Sequence, residues 1–148
     1  MERTFHMLIY RLFHAQRSYL RPYVQRIGLG SGQPKLVSYL SAQGACSQKE
    51  LAAYFEIDPA AVSRMLDSMK KAGFVKIRAD ENNRRLDVVK LTEKGYEASR
   101  HWQKHCRETE EIMLLGFSEK ERADFAGFLS RAYKNLKTEQ KQGAKKHE

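Results

Sequence analysis

Cysteine is scarce in this 148-residue sequence, which contains only Cys46 and Cys106. Two cysteines so far apart in the chain provide neither the framework of a disulfide-stapled domain nor a CxxC metal site. We therefore expect both to be structural thiols that pack as small apolar side chains.

Long apolar runs are also absent. No stretch approaches the roughly 20 apolar residues that a membrane-spanning helix needs, and the first residues lack the apolar core and small-residue cleavage site of a signal peptide. The sequence therefore predicts a cytoplasmic protein without a membrane segment.

Motifs that carry catalysis are missing as well. The sequence contains no nucleophile elbow, no glycine loop for phosphate and no paired acidic motif. We expect a protein that is not an enzyme and that needs no cofactor.

What the chain does have is positive charge, with a formal net charge of +9 and a pI near 9.6. Hydrophobic residues make up 41% and charged residues 30%, which is typical of a folded domain. A basic chain of this size favours an acidic partner, most commonly nucleic acid, although a merely basic enzyme or adaptor has the same charge.

Both ends of the chain are predicted to be long amphipathic helices. In the first segment, apolar residues recur at helical spacing. Pro22 should kink this helix and Gly28 should end it. A second stripe runs from Phe125 to Leu136. Because one small domain cannot cover both stripes, residues 1–30 and 93–138 are predicted to be dimerisation helices, followed by a disordered tail at 139–148.

The central residues 33–92 predict a winged helix-turn-helix. A helix at 33–42 precedes a capping box that begins at Ser47, and Asp58 is a good N-cap for a helix at 60–72 that ends before Gly73. Strands at 75–78 and 86–91 flank a polar turn, and Thr92 should cap a helix that extends to about residue 115. The predicted fold is mainly α with a small β-hairpin wing, within a single domain.

The helix at 60–72 is the candidate recognition helix. Its apolar residues Val62, Leu66 and Met69 share one face and should point inward. Between residues 59 and 90, eight lysines and arginines outnumber four carboxylates, a net charge of +4. An ordinary surface helix and a solvated turn are the alternatives, but this charge favours DNA contact by a set of seven residues: Ala61, Ser63, Arg64, Ser68, Lys71, Arg84 and Arg85.

Five motifs in this order resemble the MarR family of bacterial regulators. They are GLGSGQP at 28–34, SQKELA at 47–52, DPAAVSRMLD at 58–67, KAGFV at 71–75 and VKLTEKG at 89–95. The resemblance implies a dimer with interleaved terminal helices that binds a palindromic operator, more commonly as a repressor. It also implies that Arg85 is the wing arginine and that Asp67 braces it, although Asn83 stands where the family often has aspartate.

The resemblance further implies release from DNA by a small aromatic or phenolic effector. His14, Arg17, Tyr39 and Tyr54 are possible polar liners of such a site, although packing and surface roles also explain them, so the ligand-binding residues stay unknown. Some relatives sense oxidants through a cysteine in the first helix, and this sequence has no cysteine there.

His101, His105 and Glu108 share a helix face with metal-ligand spacing, but we favour a solvated face and expect no metal. The main alternative function is a sequence-neutral architectural DNA-binding protein.

Overall fold

The computed structural model describes residues 4–82 and 87–145, which contain six helices and a three-stranded sheet. This confirms the predicted fold class. The chain divides into two compact units, Met1–Thr109 and Glu110–Glu148. The elements are α1 (Phe5–Ile27), α2 (Gln33–Gln43), β1 (Cys46–Ser47), α3 (Gln48–Phe55), α4 (Pro59–Lys71), β2 (Val75–Ala79), β3 (Asp87–Leu91), α5 (Glu93–Met113) and α6 (Glu119–Lys145).

The predicted helix caps are present. The Ser47 side chain accepts a hydrogen bond from the Glu50 backbone N–H at 3.1 Å, and the Glu50 carboxylate accepts one from the Ser47 N–H at 2.7 Å. A second reciprocal pair joins Ser118 and Glu121. Gly28 ends α1 in the left-handed conformation, with φ of 91°. These local bonds place the helix ends where the sequence predicts them.

The sheet contains one strand more than the predicted hairpin. Its order is β1-β3-β2, all antiparallel, and β1 pairs Cys46 with Val89 and Ser47 with Val88. A strand of two residues is too short to show the alternation by which strands are recognised in a sequence. The N-terminal end of the predicted second strand, Leu86, lies outside the described residues.

The hydrophobic core lies between α2, α3, α4 and the sheet. Its fully buried side chains come from every one of these elements. They include Leu36, Val37, Leu40, Leu51, Val62, Leu66, Met69 and Val89. The recognition-helix candidate is therefore fixed by the core.

A close backbone approach joins the end of the α4 segment to the start of α5. A methyl group on Gly95 would overlap the carbonyl oxygen of Phe74 and lie 2.9 Å from Leu91 Cδ2. The Thr92 hydroxyl accepts from the Gly95 N–H at 3.1 Å and donates to the carbonyl of Gly73 at 2.5 Å. Thr92 therefore caps α5, as predicted, and also holds the loop after α4.

The terminal helices are far more exposed than the winged part. Leu20 is the only buried residue of α1, which contains Pro22, and α6 has none. The α6 helix continues to Lys145, so residues 139–145 are helical where the sequence predicts a disordered tail. Helix formers such as Glu139 and Lys141 continue the last helix there. Among the described residues, no helix is long and apolar enough to cross a bilayer.

We predict that Gly95→Ala destabilises the fold by about 1–3 kcal/mol, because the methyl group must displace backbone and packed side chains. Gly127→Ala is the matched control, since a methyl group added to Gly127 in α6 would have no atom within 4 Å. That substitution should raise stability by about 0.5–1 kcal/mol through helix propensity. Urea denaturation at one protein concentration measures both. Equal effects at the two positions would contradict the close approach.

Candidate nucleic-acid interface

A tight turn presents α4 at the protein surface. After α3, Glu56 adopts a left-handed conformation with φ of 54°, the only non-glycine residue with positive φ in the described part of the chain. The Asp58 carboxylate then accepts a hydrogen bond from the Ala60 N–H at 3.2 Å, and Pro59 occupies the first helical position. The turn reverses the chain, and the cap fixes where α4 begins.

The two faces of α4 separate as the sequence predicts. Val62, Leu66 and Met69 are completely buried, which confirms the predicted inward face. Of the candidate DNA contacts on this helix, Arg64, Ser68 and Lys71 are exposed, and Ala61 and Ser63 are half-buried. The helix therefore carries a cationic and hydroxyl-bearing face on a rigidly anchored backbone.

The hairpin places positive charges directly opposite each other. Lys76 on β2 pairs in register with Lys90 on β3, and Arg78 lies two residues further along the same face. Like charges at directly opposed positions destabilise a sheet unless an anion lies near them. The site residues predicted from sequence did not include Lys76 and Lys90. The register of the hairpin, which the structure provides, identifies them.

The tip of the wing lies outside the described residues. The structure does not describe Asn83, Arg84 and Arg85, which the sequence predicts in this turn, so their contacts with DNA and the bracing of Arg85 by Asp67 stay predictions. Asp67 itself is exposed on α4. The polar turn begins as predicted, since the Asp80 carboxylate accepts a hydrogen bond from the Asn82 N–H at 3.0 Å.

The predicted histidine pair does not converge on one carboxylate. His101 Nε2 lies 3.8 Å from Glu97, whereas His105 Nδ1 lies 3.5 Å from Glu108. The His105 ring stacks on Tyr23 of α1, with ring centroids 4.1 Å apart. No group of three or more metal-binding side chains occurs among residues 4–82 and 87–145. His105 therefore packs α5 against α1.

The possible effector liners lie in two separate places. The Tyr39 and Tyr54 rings, on α2 and α3, contact each other at 4.6 Å between centroids. His14 instead stacks on Tyr10, and the Arg17 guanidinium lies over Phe13, both within α1. The structure therefore does not bring the four residues together in one site.

Comparisons with known proteins agree with this geometry. The sequence model of the MarR family matches residues 31–86. The HTH-type transcriptional regulator BilQ of Clostridium symbiosum (strain WAL-14163) is 27% identical over 99 residues, which cover 67% of this chain and 69% of that protein.

Two solved structures show the same fold. A MarR transcriptional regulator from Methanosarcina mazei Go1 superposes with a TM-score of 0.82 at 27% identity, covering 88% of this chain and 94% of the other. S. aureus MepR, solved as a DNA complex, superposes with a TM-score of 0.83 at 18% identity, covering 90% of this chain and 99% of the other.

Cys46 is a buried thiol at the edge of the sheet, and this burial governs its chemistry. Burial, with the nearby Glu50 carboxylate, raises the pKa of the Cys46 thiol from 9.0 to about 11. Since the thiolate is the reactive form, about 100-fold less of it is present at pH 8 than for an ordinary thiol.

We predict that iodoacetamide labels Cys46 of the native protein at pH 8 at least about 100-fold more slowly than Cys46 of the urea-unfolded chain. The rate should rise as the pH increases toward 11, because ionisation then supplies the thiolate. Peptide mass spectrometry measures the labelling at this position. Rapid native labelling at pH 8 would contradict the buried thiol and reopen a redox role.

Proposed function

We propose that this chain is a transcriptional regulator of the MarR family that represses transcription by binding a palindromic DNA operator as a homodimer. The observation that carries the proposal is the exposed polar face of α4. Arg64, Ser68 and Lys71 line it, while three completely buried residues hold the opposite face in the core.

The residues on this face fit the major groove of DNA. An α-helix fits into that groove, where an arginine can donate two hydrogen bonds to guanine and a serine can donate to bases or phosphates. Ala61 and Ser63 are small, which permits close approach to the base edges. We propose that α4 reads the sequence, with Arg64 as its main specificity contact.

The hairpin supplies the phosphate contacts. Lys76 and Lys90 lie opposite each other, so a phosphate between them would relieve their mutual repulsion and gain two charge-assisted bonds. Arg84 and Arg85 precede β3 in the sequence and lie outside the described residues, and we propose that they contact the minor groove. In this arrangement the wing positions the protein and α4 specifies the site.

The exposed terminal helices support the homodimer. In α1, the aromatic side chains Phe5, Tyr10 and Phe13 are more than half exposed, and Leu8 and Ile9 are each 47% exposed. Phe128 and Leu136 are similarly exposed in α6. Apolar surface of this extent indicates a partner chain, and a two-fold dimer presents two α4 helices to the two halves of a palindrome.

Repression follows from occupancy of the operator, since a dimer bound across a promoter excludes the polymerase. We further propose that a small aromatic or phenolic effector releases the protein from DNA, as the family resemblance implies. The protein acts in the cytoplasm, where chromosomal DNA is accessible.

The direct test is selection of bound fragments from sheared genomic DNA, followed by footprinting and competition. A regulator should protect a palindromic site and keep it in the presence of excess unrelated DNA. Equal competition by unrelated DNA would favour the sequence-neutral architectural protein instead. Absence of any shifted DNA at moderate salt would overturn both DNA-binding proposals.

We predict that Arg64→Ala and Arg85→Ala each weaken operator binding by about 1–3 kcal/mol per half-site, because each removes a positioned arginine. Lys145→Ala is the control, since it removes one positive charge from the exposed end of α6. It should change affinity only slightly.

Titration of operator DNA at several salt concentrations separates the roles of the two arginines. Loss of a phosphate contact reduces the salt dependence, whereas loss of a base contact lowers affinity with the salt slope kept. Wild-type affinity in Arg64→Ala would refute the assignment of α4 as the specificity helix.

A further inference from the structure

Four lysines form a stripe along one face of the C-terminal half of α6. They recur at three- and four-residue spacing, which on a helix places them within an arc of about 80°. The members of this lysine stripe are Lys134, Lys137, Lys141 and Lys145. The stripe extends about 16 Å along the helix axis.

The apolar side chains of α6 lie on the opposite face from the lysine stripe. Phe125 and Leu136 project about 160–180° away from Lys134 around the helix axis. Within the arc of the stripe, residues 134–145 contribute only lysines. Charged and apolar groups therefore occupy separate faces of the same helix, and a partner of one face leaves the other face accessible.

The charge of the lysine stripe is poorly compensated. Residues 131–145 contain five basic side chains and one carboxylate, a net charge of +4. That carboxylate, Glu139, projects about 140° away from Lys134. Among residues 4–82 and 87–145, no ion pair involves Lys134, Lys141 or Lys145. Like charges at this spacing destabilise a helix, so an anion beside them would be favourable.

The helix dipole accounts for only one member of the stripe. Cations near the C-terminus interact favourably with the partial negative charge there, but this effect is confined to the last turn. Lys145 is the basic residue of that turn, whereas Lys134 lies about three turns earlier. The stripe therefore contains more positive charge than stabilisation of the helix end explains.

We propose that the lysine stripe binds the phosphate backbone of a second DNA duplex, separate from the operator that α4 contacts. The inference rests on the proposed function, because it adds a second site to a chain that binds DNA. Duplex DNA carries one negative charge per about 1.7 Å of its axis, so several phosphates lie along the length of the stripe. Lysine contacts phosphate as a point charge, and such contacts carry no sequence information.

Two other partners fit the lysine stripe less well. A membrane surface attracts lysines, but an amphipathic helix that lies in a membrane inserts its apolar face, which the proposed homodimer covers. Protein interfaces are depleted in lysine and depend on aromatic or apolar anchors, which the arc of the stripe lacks. A duplex needs neither, since its backbone is contacted by charge alone.

The experiment immobilises the full chain, saturates it with a short unlabelled operator duplex, and measures the binding of a labelled duplex of unrelated sequence. The triple variant Lys134→Gln, Lys141→Gln, Lys145→Gln should bind the labelled duplex at least about 10-fold more weakly at about 100 mM salt. Its affinity for the operator should stay at the wild-type value, because α4 belongs to the other compact unit. Wild-type binding of the labelled duplex should fall about 40-fold between about 50 and 200 mM salt, as three phosphate contacts require.

Two matched variants separate the placement of charge from its amount. Arginine at the same three positions keeps the positive charge and should retain the labelled duplex. The variant Arg100→Gln, Lys104→Gln, Lys120→Gln removes the same charge from exposed cations that already pair with carboxylates of their own chain. It should also retain the labelled duplex, and circular dichroism checks that every variant is folded.

The outcomes distinguish this inference from the proposed function. Labelled duplex that binds wild type and the glutamine variant of the stripe equally, or that wild type does not bind at about 50 mM salt, would overturn the inference. Vesicles containing phosphatidylglycerol that bind through the stripe, without binding of the labelled duplex, would overturn it in favour of a membrane surface. If footprinting finds no operator, the proposed regulator fails, and the same comparison of variants without operator still decides this inference.

Discussion

The close contact of Gly95 with the Phe74 carbonyl and Leu91 is the constraint on which the winged part depends. Because no side chain intervenes, the start of α5 lies directly against the segment that follows α4. The Thr92 hydroxyl bonds both sides of this junction, and the Lys94 ammonium donates to the Ala72 carbonyl at 2.6 Å. The end of α4, both long strands and the start of α5 are therefore held at one point.

The position of α4 is fixed by the core, so the spacing of its exposed polar side chains can be compared with that of DNA base edges. Three buried side chains anchor one face in the core, so the exposed groups of the other face keep a defined spacing. DNA recognition needs such spacing, because hydrogen bonds to base edges tolerate little displacement. In the proposed function the hairpin adds charge rather than specificity. Lys76 and Lys90 face each other at a cost to the free protein, which an approaching phosphate would remove.

The terminal helices α1 and α6 differ from the winged part because the chain's own core does not bury their apolar side chains. The α1 and α6 helices leave large apolar side chains in solvent, and α6 separates its charges along its length. The winged part is stabilised by its own core, whereas in the proposed homodimer these surfaces would gain stability by assembly. Apolar burial would supply the affinity of such an assembly. A homodimer formed by the terminal helices would carry two copies of α4, one for each half of the proposed palindromic operator.

Capping bonds, helical periodicity and short motifs involve neighbouring residues, so the local sequence was enough to predict the helix caps, the buried face of α4 and the resemblance to the MarR family. It was wrong about residues 139–145, where helix propensity continued the last helix beyond a polar stretch that resembled a tail. Three features became visible only in the folded chain. They are strand β1, the placement of Lys76 opposite Lys90, and the pairing of His101 and His105 with different carboxylates. Each of these depends on strand register or side-chain direction, which are set by packing between segments distant in the chain and leave no local pattern in the sequence.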